Sequence, residues 1–151
     1  MAKKKAKDRS GDLISEIQNI HFLYERAYDK FYASLDISNE QINVLEILEN
    51  APDEGIALNQ IQRLLPNQTS NTTRLVNKLH AKKFLSKKSN PQDKRRLMIA
   101  ISTDGRTILN NARDQIKPVK KKLKKNLNTV SSKSLISELK TIRKSVQSVL
   151  S

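Results

Sequence analysis

The feature that most constrains the fold is a pair of short helical patterns separated by a proline. Apolar residues recur at helical spacing over 57–65, and Pro66 ends this first helix because the residue before a proline is pushed out of the α region. A second pattern follows in Ser70–Leu79, whose apolar side consists of Thr72, Leu75, Val76 and Leu79. Two short helices joined by a tight polar turn predict a helix-turn-helix, with the second helix as its recognition helix.

The outward side of the predicted recognition helix begins with hydrogen-bonding groups, continues with cations and contains no carboxylate. Such a surface suits a helix that approaches a polyanion and reads base edges. Arg74 is predicted to contact a guanine or a phosphate, or to pair with Asp93. The candidate DNA-contacting residues of this helix are Thr69, Ser70, Asn71, Thr73, Arg74 and Lys78.

A basic hairpin is predicted directly after this helix. Two extended runs, Phe84–Lys88 and Arg96–Ile101, flank a cluster of turn-forming residues. An isolated basic hairpin is more often only a solvated surface, but the preceding helix favours a DNA-binding wing. Arg95 is predicted to enter the minor groove, with Asp93 orienting Arg95 or Arg74 through a charge-assisted hydrogen bond. The candidate wing contacts are Lys88, Lys94, Arg95 and Arg96.

Three segments together resemble the multiple-antibiotic-resistance regulator (MarR) family: Ser70–Leu79, Asn90–Arg96 and Ile101–Gly105. The second contains the family's Asp-x-Arg wing signature, and the third resembles the segment that opens the next helix. Lys83 departs from the glycine usual in the family, and Ile101-Ser102 replaces Leu-Thr. The resemblance implies a homodimeric transcription regulator that binds a pseudo-palindromic operator and responds to a small amphipathic effector.

The charge distribution also favours nucleic acid as a partner. The 151 residues carry a net charge of +14, but residues 10–60 contain ten acids and two bases. Residues 61–102 contain ten bases and a single acid, so the positive charge begins where the predicted DNA-binding elements begin. An anionic membrane surface fits less well, since no amphipathic helix rich in Trp or Phe accompanies the charge.

Residue usage argues against several other classes of protein. With no cysteine and only two histidines, the chain has no basis for disulfides or a cysteine-ligated zinc site. A catalytic Ser/His/Asp set and a glycine-rich phosphate loop are also absent from the sequence, which has three glycines. We therefore expect no enzyme activity, no cofactor and no metal. No run of 18 apolar residues indicates a membrane span.

The remaining segments predict how the chain is organised. Residues 1–10 are interpreted as a disordered basic arm, 11–36 as an N-terminal dimerisation helix, 37–102 as the winged helix-turn-helix lobe and 103–151 as C-terminal dimerisation helices. Ser38 and Gln41 predict a capping box at the start of the second helix. Thr103 is expected to cap a helix that Pro118 kinks or restarts, and Ser131 or Ser132 to cap the last helix.

The first helix carries five of the six aromatic residues of the chain. In the resembled family this region borders the dimer interface and an effector pocket, so Tyr24 and Tyr28 are candidate effector contacts. An aromatic stripe at helical spacing is more often core, and that reading stays open.

The sequence therefore predicts a mostly α protein with a small β-wing that binds double-stranded DNA as a homodimer in the cytoplasm of a bacterium, associated with the nucleoid when bound. Two alternatives stay open. One is a non-specific, architectural DNA-binding protein, and the other is a winged-helix module that binds an acidic protein.

Overall fold

A computed structural model describes residues 9–65, 71–89, 97–130 and 132–149. Within this part of the chain it confirms the predicted mostly α architecture with a small three-stranded sheet. The chain divides into two compact units, Met1–Gln115 and Ile116–Ser151. The helices and strands are α1 (Ser10–Tyr32), a single 3-10 turn (Ala33–Leu35), α2 (Asn39–Glu49), β1 (Ile56–Ala57), α3 (Leu58–Leu64), α4 (Thr72–Ala81), β2 (Leu85–Ser89), β3 (Leu97–Ile101), α5 (Thr103–Leu127) and α6 (Lys133–Val149). Of the described helices, none combines the length and apolar character of a membrane span.

Helix α2 forms the centre of the first unit. The predicted capping box is confirmed at its start, where the Gln41 amide donates to Ser38 Oγ at 3.3 Å and the Ser38 amide donates to Gln41 Oε1 at 3.0 Å. Val44 and Leu45 are completely buried in this helix. Helix α2 contacts α1, α3, α4 and β3, so it supports the elements of the helix-turn-helix from within.

The sheet is antiparallel, with strand order β1-β3-β2. The short strand β1 pairs with β3, with Ile56 opposite Ile99. Gly55 precedes it with φ +87°, and a Cβ there would overlap the Ile99 carbonyl. Strand β2 begins at Leu85, one residue later than predicted, while Arg96, the predicted first residue of β3, lies outside the described residues. Gly55 therefore permits the close approach by which β1 pairs with β3 at the edge of the wing.

Ser102 joins the end of the wing to the start of α5. Its amide donates to the Phe84 carbonyl at 3.1 Å, and its hydroxyl donates to the Lys83 carbonyl at 2.7 Å. The same hydroxyl accepts from the Gly105 amide at 3.0 Å. The predicted cap at Thr103 is therefore wrong by one residue: Ser102 is the cap, because its hydroxyl is placed between the helix and the backbone that precedes the wing.

Lys83, the residue that departs from the family's usual glycine, has a left-handed backbone with φ +62°. It ends α4 in a Schellman motif: the Phe84 amide donates to the Leu79 carbonyl at 3.0 Å and the Lys83 amide to the His80 carbonyl at 2.9 Å. Two orphan carbonyls of the helix end are satisfied in this way. A residue with a Cβ is strained in this conformation, so Lys83 costs stability that glycine would not.

We expect Lys83→Gly to stabilise the protein by about 1 kcal/mol, because the left-handed conformation disfavours a side chain by roughly that amount. The measurement is the midpoint of urea unfolding, followed by circular dichroism. Lys83→Ala is the matched control, since it removes the same side chain but keeps the Cβ that is strained at φ +62°, so it should not gain this stability. An unchanged or lower midpoint for Lys83→Gly contradicts the strain assigned to this residue.

Helices α5 and α6 complete the chain. A restart at Pro118 is wrong, since α5 continues from Thr103 to Leu127 with Pro118 inside it. The fixed φ of proline is itself helical, although an interior proline lacks the amide donor and its ring crowds the preceding turn. Arg113 attaches α5 to α2 by donating to both carboxylate oxygens of Glu49, at 3.1 and 2.6 Å. Ser132 caps α6 by accepting from the Leu135 amide at 3.0 Å, while Ser131 lies outside the described residues.

Candidate nucleic-acid interface

Helix α4 packs against the rest of the first unit through one of its faces. The residues predicted to form its apolar side are buried, and the helix packs against α2, α3 and β2. Those buried residues are Thr72, Leu75, Val76 and Leu79. Residues three and four apart lie on the same side of a helix. The polar residues of α4 therefore share the opposite side, which is exposed. The packing therefore directs the polar face of α4 away from the core.

Four of the six residues predicted to contact DNA from the recognition helix lie in the described part of the chain. Thr73, Arg74 and Lys78 are exposed, and Asn71 is half-buried at the start of the helix. Thr69 and Ser70 lie outside the described residues. The exposed face thus brings a hydroxyl, an amide and two cations together over two turns.

Asn71 and Arg74 are joined side chain to side chain. Arg74 Nε donates to Asn71 Oδ1 at 2.6 Å. Asn71 has helical backbone angles, φ −86° and ψ −8°, and its side chain makes no capping hydrogen bond to the helix. Its amide oxygen is thus used to hold the guanidinium rather than to satisfy the backbone at the helix start.

Asn77 and Lys87 form a second contact, which connects α4 to the wing. Lys87 Nζ donates to Asn77 Oδ1 at 2.6 Å. Neither residue was among the candidate contacts predicted from the sequence. The period of the strand could have indicated Lys87: since alternate residues of a strand face the same side, Lys87 shares the side of the buried Leu85.

Of the predicted wing contacts, Lys88 is exposed on β2 opposite Met98. Lys94, Arg95 and Arg96 and the orienting acid Asp93 lie outside the described residues, so the pairing of Asp93 with Arg95 or Arg74 stays a prediction. A further cation near this surface has a structural partner: Lys82 Nζ lies 2.7 Å from Asp36 Oδ2. That ion pair connects the end of α4 to the turn after α1.

The candidate effector residues Tyr24 and Tyr28 contact one another on α1. Their hydroxyl oxygens are 2.6 Å apart and their ring centroids 4.4 Å apart. Tyr28 is buried and packs edge-on against Tyr32, whose ring centroid is 5.8 Å away. This tyrosine ladder supports the core interpretation for Tyr28 and Tyr32, whereas Tyr24 is 45% exposed. The effector role of Tyr24 and Tyr28 stays a prediction.

The tyrosine ladder makes stability sensitive to alkaline pH. Burial raises the pKa of Tyr28 above its ordinary value, and the hydrogen bond with Tyr24 raises the pKa further. Because the folded state disfavours the ionised phenol, this stability is present below pH ~10 and is lost as the pH rises above it. We expect Tyr28→Phe to lose stability less steeply than the natural protein between pH 10 and 11.5, by up to about 1.4 kcal/mol per pH unit. Urea unfolding across this range measures the difference, and parallel curves contradict the assignment.

The winged helix-turn-helix has known relatives in both sequence and structure. The MarR family model matches residues 35–96, from the turn before α2 into the wing. No curated protein matches the chain. Among solved structures, a MarR-like transcription regulator from Bacillus cereus ATCC 10987 is 18% identical with a TM-score of 0.74, covering 95% of this chain and 99% of that chain.

Two further structures contain a bound partner. MepR of S. aureus in complex with DNA is 21% identical with a TM-score of 0.72, covering 89% of this chain and 96% of that chain. CouR from Rhodococcus jostii RHA1, bound to p-coumaroyl-CoA, is 15% identical with a TM-score of 0.71, covering 93% and 95%. At such identities the likeness establishes the fold, which is that of the winged-helix MarR structures.

Proposed function

We propose that this chain is a member of the MarR family, whose family model matches residues 35–96, and that it is a transcription regulator that binds a pseudo-palindromic DNA operator as a homodimer. A member of this family is a DNA-binding protein and not an enzyme. The observation that carries the proposal is the exposed face of α4, which presents amide, hydroxyl and cationic groups without a carboxylate and is fixed from behind by buried residues. Such a face can enter the major groove, where each base pair presents a distinct set of donors and acceptors.

The proposed contacts divide between the two grooves. Helix α4 enters the major groove, where Thr69, Ser70, Asn71, Thr73, Arg74 and Lys78 meet base edges or phosphates. In the wing, Lys88, Lys94 and Arg96 contact the DNA backbone, and Arg95 enters the adjacent minor groove. Asp93 orients Arg95 or Arg74 through a charge-assisted hydrogen bond. In a symmetric dimer the two recognition helices lie about 34 Å apart, one turn of DNA, which requires a two-fold-symmetric operator.

Two apolar surfaces support the homodimer. Large apolar side chains of α1 are exposed in the single chain, as are several of α6. Exposed apolar surface of this extent marks an interaction site in a protein that folds around its own core. The exposed side chains are Leu13, Ile14, Ile20, Phe22 and Leu23 on α1, and Leu135, Ile136, Leu139, Val146 and Val149 on α6.

The proposal includes regulation by a small amphipathic effector in the cytoplasm, where a bacterial regulator meets both the nucleoid and metabolites. CouR, which shares the fold, has been solved with an acyl-CoA ligand. Tyr24 and Tyr28 are the effector residues proposed from the sequence. A cleft of about 570 Å³ also opens beside α2, with an apolar wall and a few polar groups; its lining includes Asn43, Glu46, Ile47, Pro52, Ile56 and Leu64.

Selection of binding sites from random duplex DNA at physiological salt tests the function. A two-fold-symmetric consensus with half-sites one turn apart is the expected result. Strong retention of DNA without a consensus would favour an architectural protein that uses the phosphates alone. Failure to retain any duplex, repeated after extensive dialysis to remove a bound effector, would contradict DNA binding and favour a protein-interaction module.

A further inference from the structure

We propose that Arg74 reads a guanine end-on and that Asn71 is a positioning residue for it, which rests on the proposed entry of α4 into the major groove. Arg74 is exposed, and its Nε is held at 2.6 Å by Asn71 Oδ1. The two residues are three apart and therefore share one face of the helix. The half-buried Asn71 fixes the plane and direction of the guanidinium before DNA arrives.

The remaining donors of Arg74 match guanine. A guanidinium has five N–H groups in one plane, and the contact with Asn71 uses the one on Nε. The two terminal nitrogens keep a parallel pair of N–H groups, which fits the N7 and O6 acceptors of guanine. Adenine presents an acceptor beside a donor at these positions, so one N–H of the pair would face the adenine amino group. Held in this way, Arg74 discriminates guanine from adenine.

The second asparagine on the exposed face is engaged in the same manner. Asn77 Oδ1 accepts from Lys87 Nζ at 2.6 Å. A bidentate contact between asparagine and adenine needs the amide oxygen as acceptor and the amide nitrogen as donor. In Asn71 and Asn77 one of the two acceptor positions of that oxygen is already used by a cation, which makes the adenine contact less favourable for both residues. On the described part of the recognition helix, the paired N–H groups of Arg74 are therefore the arrangement that suits guanine.

Site selection with matched variants tests this assignment. The natural protein should select a guanine at one symmetric position of each half-site. Arg74→Lys keeps the charge but loses the planar fork, so it should lose about 5-fold to 100-fold of the preference for that guanine. Asn71→Ala should weaken the same preference at the same position. Asn71→Asp keeps the acceptor for Nε and should retain the preference, although added negative charge lowers overall affinity.

Each contrary outcome has a distinct meaning. If Asn71→Ala changes a different position of the consensus, Asn71 is itself a base reader and the positioning role is wrong. If Arg74→Lys leaves the consensus unchanged, Arg74 contacts a phosphate and the guanine assignment is wrong. A natural protein that binds DNA without any consensus overturns the proposed sequence-specific function, and the inference with it. Circular dichroism of each variant establishes that the helices are intact before selection.

Discussion

Replacing Gly105 by alanine is expected to destabilise the protein by about 3 kcal/mol or more, at the upper end of what overpacking costs. An added Cβ would overlap the carbonyl oxygen of Phe84, and its next contact, at 2.9 Å, is with the Ile101 side chain. Backbone cannot move away as a flexible side chain can. The Phe84 carbonyl also accepts from the Ser102 amide at 3.1 Å, so a shift there disturbs the junction between α4, the wing and α5.

Gly11→Ala is the matched control for this change. A Cβ at Gly11, an exposed residue of α1, meets no atom within 4 Å. Alanine should therefore be neutral or stabilise the helix by up to about 1 kcal/mol. Thermal and urea unfolding of the two variants give the comparison. Similar stability for both would mean that the wing and α5 can separate at this junction without cost, and the structural role of Gly105 would be wrong.

The capping box of α2 and the packing of Gly105 illustrate what sequence reasoning can and cannot predict. The capping box of α2 was predictable because Ser38 and Gln41 are three residues apart and contact each other within one helical turn. The role of Gly105 depends on Phe84, which is 21 residues earlier in the chain and reaches it only when the wing folds back. A local pattern contains no information about such a contact.

The candidate interface shows the same division. The exposed and buried faces of α4 followed from helical periodicity, and the structure confirms the buried set. The partners of the exposed amides did not follow from periodicity. Asn77 of α4 accepts a hydrogen bond from Lys87 of β2, and this contact depends on how closely the strand packs against the helix. Periodicity therefore predicts which residues face outward, while their orientation depends on tertiary contacts.

Helix α6, outside the winged lobe, has an apolar stripe that is exposed in the single chain. In α6, Leu135, Leu139 and Val146 recur at helical spacing but are 38%, 49% and 56% exposed in the single chain. A helix with one apolar stripe is stabilised when that stripe is buried, because each apolar side chain removed from water contributes about 1.5–3 kcal/mol. In the proposed homodimer, the partner chain supplies this burial.

Leu139→Glu should convert the proposed dimer into monomers, because a carboxylate without a partner is costly to bury in an apolar interface. A monomer binds only one half-site, so affinity for the full operator should fall by about 10²-fold to 10⁴-fold, while the short half-site alone is bound as before. Analytical ultracentrifugation measures the mass, which should fall from twice the 17.2 kDa of one chain to a single chain. Ser137→Glu adds the same charge at an exposed polar position of α6 and should remain dimeric. If Leu139→Glu stays dimeric with unchanged operator affinity, α6 does not form the interface.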